Sequence, residues 1–203
     1  MKNYFDVLVP ANRTGKENDL EYSKSFANPA NASKAFELAT QRVMNINEWH
    51  DLSGIASAGF ILKDEKGENC NRTIQKGDYV RIDIPGPGPK SGDGYDWVRV
   101  EKVVRHHDKE AGKGIVGILL QSCPNPMNSD SESAHFFKNG ATSSFIVERK
   151  GNTLTASYHG RNEVLNVDAK KTKDKVRNAV VGAAALAGGS EAQWNALIKS
   201  FLN

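Results

Sequence analysis

Five histidines, two cysteines and a scatter of carboxylates are the side chains of this sequence that could do chemistry. Their spacing is unfavourable for it. His106 and His107 are adjacent, so in a strand they point to opposite faces and do not hold one metal ion together. His50 follows Trp49 and either edges a pocket or caps a helix, while His135 and His159 stand alone. No HxH or HExxH spacing occurs, so no metal site is expected. Glu48, Asp51, Asp83, Asp93, Asp96 and Glu101 are dispersed, whereas an acid–base pair needs two carboxyl groups in contrasting environments of one cleft. Asp83 and Glu101 fall on the outward side of a hairpin, where ion pairs with Arg81 or Arg99 are the expected use. No GxSxG is present. The stretch GPGPKSGDG lacks GxxxxGK[ST], and its prolines remove the amide donors a phosphate loop needs, so it reads as a rim loop. Cys70 and Cys123 have no CxxC partner. Cys123 has no Lys or His neighbour in sequence to lower its pKa and reads as an inert thiol. No catalytic residue and no cofactor is expected.

The aromatic residues carry the stronger signal. Trp49, Phe60, Tyr95, Trp97, Tyr158 and Trp194 are expected to line an apolar interior or its mouth. Val180 and Ala183 join them from a late helical stretch whose small residues, Gly182 to Ala185, either allow close packing or leave room for a ligand. Pockets that are largely apolar with a few polar groups are the usual form of a small-molecule site.

The elements that must position these residues are legible in part. Residues 4–10, YFDVLVP, read as an edge strand, and residues 1–20 as an extension preceding one domain at 21–203. Tyr22–Ala27 reads as a strand that Asn28-Pro29 stops. Asn31 is the expected N-cap of a helix with Ala32, Phe36, Ala39, Val43 and Met44 on its apolar stripe. A short helix over Ile46–Leu52 follows, closed by Ser53-Gly54. Strands are expected at Ile55–Lys63, Gly77–Ile84, Tyr95–His106 and Ile115–Gln121. A further hairpin, Thr142–Arg149 with Thr153–His159, turns at Lys150-Gly151-Asn152. The C-terminal part is helical in pattern over Thr172–Ala187. After Gly188-Gly189 it resumes with Trp194, Leu197, Ile198, Phe201 and Leu202 on one face. An unbroken helix over 172–202 would be about 45 Å long, so the two glycines bend it or divide it. Strands grouped together, with helices at either end, define an α+β class rather than an alternating α/β one.

Length and charge exclude several functions. The 203 residues suffice for one domain, and a chain of this size buries roughly 70% of its unfolded surface without staples. The 27 basic and 24 acidic residues are interspersed, leaving a net charge of +3 and no basic face for nucleic acid. The longest apolar run, Ala179–Ala187, is far short of the about 20 residues that span a bilayer. The N-terminus lacks the apolar core of a signal peptide, so a cytoplasmic protein is expected.

The strand SKSFA, the turn NPANA, the helix KAFELATQRV and the short helix NINEWHDLSG resemble the START-like or SRPBCC superfamily, in which Pro29, Ala30, Phe36, Leu38 and Trp49 match common positions. The resemblance covers about 21–202 in element order and about 35 residues in detail. It implies a helix-grip fold: a curved antiparallel sheet of about seven strands wrapped on a long C-terminal helix, with two short helices after the first strand. It also implies a pocket between sheet and helix for a hydrophobic or amphipathic small molecule, lipid- or polyketide-like. The glycine break at 188–189, the first twenty residues and the long connection at 122–141 depart from the family pattern. Two other functions are compatible with the sequence. One is a cyclase- or hydratase-type enzyme on the same scaffold, which requires a titratable side chain inside the pocket. The other is an SH3-like interaction module within 55–122, built on GDYVRIDIPGPGPKSGDGYDWVRVEKV.

Overall fold

The structure is a computed structural model that describes residues 4–54, 58–84, 92–128, 135, 137–166 and 190–203. Seven strands form one antiparallel sheet: β1 (Lys16–Ser25), β2 (Gly59–Lys63), β3 (Tyr79–Asp83), β4 (Asp96–Asp108), β5 (Lys113–Ser122), β6 (Thr142–Lys150) and β7 (Thr153–Glu163). Their order is β1-β7-β6-β5-β4-β3-β2. Consecutive strands from β2 to β7 are neighbours, and the chain's first strand closes against its last. Helices α2 (Pro29–Met44), α3 (Trp49–Ser53) and α4 (Ser190–Leu202) cover the inner face, and a 3₁₀ turn at Ile46–Glu48 joins α2 to α3. A short α1 (Tyr4–Leu8) lies on the outer face. The α+β helix-grip class is the architecture observed.

Helix α2 starts one turn earlier than its composition suggested. Asn28, in extended conformation, is the N-cap, and its side-chain oxygen accepts from Asn31 N–H at 2.9 Å. Pro29 at the first helical position loses nothing, because that N–H has no intrahelical partner. The stripe Ala32, Phe36, Ala39 and Val43 is buried, whereas Leu38 faces solvent. Phe36 lies so close over β5 that a Cβ at Gly114 would stand 2.7 Å from its ring. Gly114 is therefore a packing requirement. The tip of the β6–β7 hairpin is fixed to α2 by Arg149, a guanidinium only 2% exposed. It donates to Pro29 O at 3.0 Å and Gly151 O at 3.0 Å, and its Nη1 is 3.1 Å from His107 Nε2.

Helix α4 is held at both ends. Lys16 pairs with Glu191 at 3.3 Å near its start. At its end Arg42 donates to Ser200 O and Phe201 O, and Lys24 donates to Leu202 O. These cations meet carbonyls that the last helical turn leaves unsatisfied. Between the two ends Leu197, Ile198, Phe201 and Leu202 are buried against the sheet.

Residues 4–8 form a helix, not the expected strand. Leu8 is fully buried with Ile115, Leu119 and Ile146, and Tyr4, Phe5, Val9 and Val104 pack around them. The helical spacing of Tyr4 and Leu8 lets both reach the sheet. This explains why β5 is apolar on both faces: Val116, Ile118 and Leu120 point to the helices, and Ile115 and Leu119 to α1. Strand β1 begins at Lys16, inside the segment read as an extension. No separate barrel closes within 55–122, because β5 continues the sheet into β6. That overturns the SH3-like reading. The helical pattern at 172–187 and the strand start at 55–57 lie outside the described residues.

Candidate functional site

The inner face carries a continuous aromatic group. Trp49 is fully buried and donates its indole N–H to Arg42 O at 2.9 Å. Its ring lies 5.6 Å from Phe60, 4.7 Å from Phe145 and 5.6 Å from Phe201, centroid to centroid. Trp194, half-buried on α4, stacks on Tyr158 at 5.4 Å and meets Phe145 edge-on at 5.3 Å. Phe60 completes the ring of contacts 6.3 Å from Trp194. Such offset and edge-on pairs add about 0.5–1.5 kcal/mol each beyond the area they bury.

Of the residues expected from sequence, Trp49, Phe60, Tyr158 and Trp194 are brought together here. Tyr95 and Trp97 are not. Trp97 pairs across the ladder with Arg81, while Val98 and Val80 alternate with them into the core, so Trp97 points to the outer face. There its indole N–H bonds Gly92 O at 3.1 Å. The Tyr95 ring lies under the Arg81 guanidinium, 4.0 Å away. Val180 and Ala183 lie outside the described residues.

At one end the aromatic group becomes polar. The Tyr158 hydroxyl donates to Glu163 Oε1 at 3.3 Å and lies 3.3 Å from Ser143 Oγ. Tyr158 is 2% exposed and Glu163 8%. Burial, then the neighbouring Glu163 charge, pushes the Tyr158 hydroxyl well above its usual range. Burial also raises the Glu163 carboxyl, and the charge of Glu191 adds to this, while Tyr158, Lys16 and Arg161 act against it. Phe145, Ser143 and Glu163 were not anticipated. Phe145 and Ser143 share the alternating register of β6 and could have been read from it. Glu163 could not, because a bulge in β7 sets its direction.

Two other constellations were assembled by the fold. On the outer face His159 Nδ1 lies 2.6 Å from Asp19 Oδ1, and its Nε2 3.0 Å from Ser157 Oγ. The order matches an acyl-transfer triad, but the surroundings do not support that chemistry. Ser157 is 7% exposed, and β7 is paired on both sides, so its amides belong to the ladder and none forms an oxyanion hole. Asp19 also pairs with Arg161 at 2.7 Å. At the β4–β5 turn an open depression of about 620 Å³ is lined by Glu37, Arg105, His106, His107 and Lys109, among others. Its charges are mixed, and Lys109 and Glu37 pair at 2.7 Å. Its mixed charge and openness to solvent do not suit an apolar ligand. His106 and His107 do face opposite ways: His106 stacks on Tyr4 outside, and His107 meets Phe36 inside with the rings tilted by 55°. Burial lifts the Cys123 thiol to about 12, as expected of an inert thiol. Arg99 takes Glu101 at 3.6 Å. Among the described residues no group of three His, Cys, Asp or Glu could hold a metal ion, and no helix is long and apolar enough to cross a membrane.

The seven-stranded antiparallel sheet with helices on its inner face defines the helix-grip class. No family model and no curated protein sequence matches the chain. Solved structures with a similar course include Ara h 8.0201, at 12% identity and TM-score 0.35, covering 92% of this chain and 99% of that one. Ginseng major latex-like protein 151 from Panax ginseng is 15% identical with TM-score 0.33, covering 86% and 98%. A truncated norcoclaurine synthase from Thalictrum flavum is 12% identical with TM-score 0.37, covering 96% and 99%.

Proposed function

We propose that this protein binds a hydrophobic or amphipathic small molecule, lipid- or polyketide-like, between the inner sheet face and its C-terminal helical segment. The observation that supports this best is the aromatic group ending at half-buried Trp194 and at the polar trio Tyr158, Ser143 and Glu163. Affinity would come from apolar burial at about 25 cal/mol per Å², with the polar trio orienting the ligand. Phe60, Tyr158 and Trp194 would touch the ligand, and Trp49 would support them from beneath. A cytoplasmic setting and the absence of a nucleic-acid partner belong to this reading.

The test is titration with the apolar fluorophore N-phenyl-1-naphthylamine, together with native mass spectrometry of the purified protein. Saturable binding that quenches tryptophan emission, weakened at least about fivefold (about 1 kcal/mol) by Trp194→Ala, is expected. No saturable binding and no co-purifying ligand would overturn it. The cyclase- or hydratase-type alternative is favoured by one observation, the titratable Glu163 on the inner face. A bound ligand recovered chemically unchanged after prolonged incubation would count against it.

A further inference from the structure

We propose that Glu163, Tyr158 and Ser143 form a receptor for the head group of the ligand, selecting a hydrogen-bond donor, a hydroxyl or an ammonium, and rejecting a carboxylate. This rests on the binding function proposed above and names the chemistry of the ligand's polar end.

Glu163 reaches the interior by a built device. Strand β7 presents Leu154, Ala156 and Tyr158 inward by alternation. Its register against β1 then shifts, Lys16 facing Glu163 and Asn18 facing Gly160, which leaves one extra residue on β7. Asn162 takes a positive φ of 56° in this bulge. The extra residue turns Glu163, rather than Asn162, toward Tyr158. Bulges commonly re-aim a side chain in this way.

Gly160 makes the room. A Cβ there would stand 2.2 Å from Glu163 Oε1 and 3.0 Å from the Tyr158 hydroxyl. The N-terminal segment braces the bulge from outside. Asn162 Oδ1 accepts from the amides of Arg13 and Thr14 at 2.8 and 3.2 Å, and Asn162 N–H donates to Asn12 Oδ1 at 2.7 Å. A Cβ at Gly15 would stand 2.5 Å from Glu163 O, so the approach also demands glycine there.

Hydrogen-bond accounting then decides the ligand class. An ionised carboxylate only accepts, and has about four acceptor positions. Among the described residues Glu163 receives one bond, from Tyr158. That bond uses the single proton of the phenol, so the Ser143 hydroxyl donates its own proton to the phenol oxygen. The trio therefore has acceptors to spare and no spare donor.

The nearby cations are already paired. Lys16 is held by Glu191 at 3.3 Å, and Arg161 by Asp19 at 2.7 Å and by Gly160 O at 2.8 Å. No salt bridge reaches Glu163 among the described residues. A ligand hydroxyl or ammonium supplies the missing donor. A ligand carboxylate brings a second negative charge and more acceptors into a desolvated place. The upward displacement of the Glu163 carboxyl by burial, which Tyr158, Lys16 and Arg161 offset only in part, agrees with a site that favours such a donor.

The experiment compares decan-1-ol, decylamine and decanoate, which share one tail, as competitors of N-phenyl-1-naphthylamine at pH 8. The alcohol and the amine are expected to bind at least about tenfold tighter than decanoate, equivalent to about 1.4 kcal/mol. In Glu163→Gln the gap should shrink below about threefold, because an amide both donates and accepts. Gly160→Ala, which keeps the charge but displaces the carboxyl, provides the same readout should the first variant fold poorly. Decanoate binding as tightly as the other two in the natural protein would overturn the inference and leave apolar binding intact. So would an unchanged tenfold preference in both variants. Failure of all three to compete, together with no binding of the fluorophore, would overturn the binding function itself.

Discussion

Leu8 and Gly117 should be energetically coupled across 109 positions of sequence, and the coupling can be worked out from the packing of α1. Leu8 is fully buried, and its Cδ1 occupies space that a Cβ on Gly117 would enter at 2.5 Å. Leu8→Ala removes a buried side chain and should destabilise by about 3 kcal/mol, within the usual range of about 2–5. Gly117→Ala inserts a methyl where Leu8 is boxed in by Ile115, Leu119 and Ile146. Overpacking of this kind costs about 1–3 kcal/mol, offset in part by the about 0.5–1 kcal/mol that alanine gains over glycine in a strand. In the double variant the new methyl enters the space vacated by Leu8, leaving only the closer contacts to Phe145 O at 3.1 Å and Ile146 Cγ1 at 3.2 Å. The double variant should therefore be more stable than the sum of its parts by at least about 1 kcal/mol, inside the range seen for touching residues. Urea denaturation of the four proteins, with m-values checked for constancy, gives the cycle. Additivity within about 0.5 kcal/mol, or a Leu8→Ala change below about 1 kcal/mol, would refute the docking of α1 on the outer sheet face.

Two further outcomes test the electrostatics. Glu163 has its carboxyl raised by burial above its ordinary value of 4.5, so the folded protein holds this proton more tightly than the unfolded chain. The stability it contributes is present below that pH and is lost as pH rises through the folded value, so Glu163→Gln should gain stability relative to the natural protein between pH 4.5 and neutrality. Urea midpoints that differ by a constant amount across that window would contradict it. His107 should be neutral with its proton on Nδ1, because Nε2 accepts from Arg149 and a guanidinium only donates. Burial, then the charges of Arg149 and Lys109, lowers its pKa from 6.5, so its contribution to stability is present above 6.5 and is lost as pH falls through the lowered value. Nitrogen-15 imidazole shifts report both the tautomer and the titration, and His107→Ala should cost about 1–3 kcal/mol by leaving a buried Arg149 donor unmet.

Period and punctuation alone revealed much of this protein. The stripe Ala32, Phe36, Ala39 and Val43, the alternation Val80 and Ile82, the turn at Gly151-Asn152 and the face Leu197, Ile198 and Phe201 all follow from how a helix or strand distributes side chains. Their order sufficed for the α+β class, the helix-grip form was implied by the resemblance carried by residues 21–54, and the same alternation placed Phe60 and Tyr158 inside. Alternation misled at Tyr95 and Trp97 only because the orientation of that strand depends on which of its faces meets the helices. Val98 and Val100 took that face.

What the tertiary structure alone decided is non-local. The N-cap passed to Asn28 because Pro29 fits the first helical turn. Residues 4–8 became a helix because Leu8 found a gap over Gly117. Asp19, Ser157 and His159 met only because β1 closes against β7. Glu163 turned inward through one extra residue in β7, beside a glycine that leaves space and under a brace from residues 12–15. A local pattern reports which side chains share a face. It does not report which partner strand lies opposite or where a register slips, and in this protein the register slip brings a buried carboxyl, Glu163, to the aromatic interior.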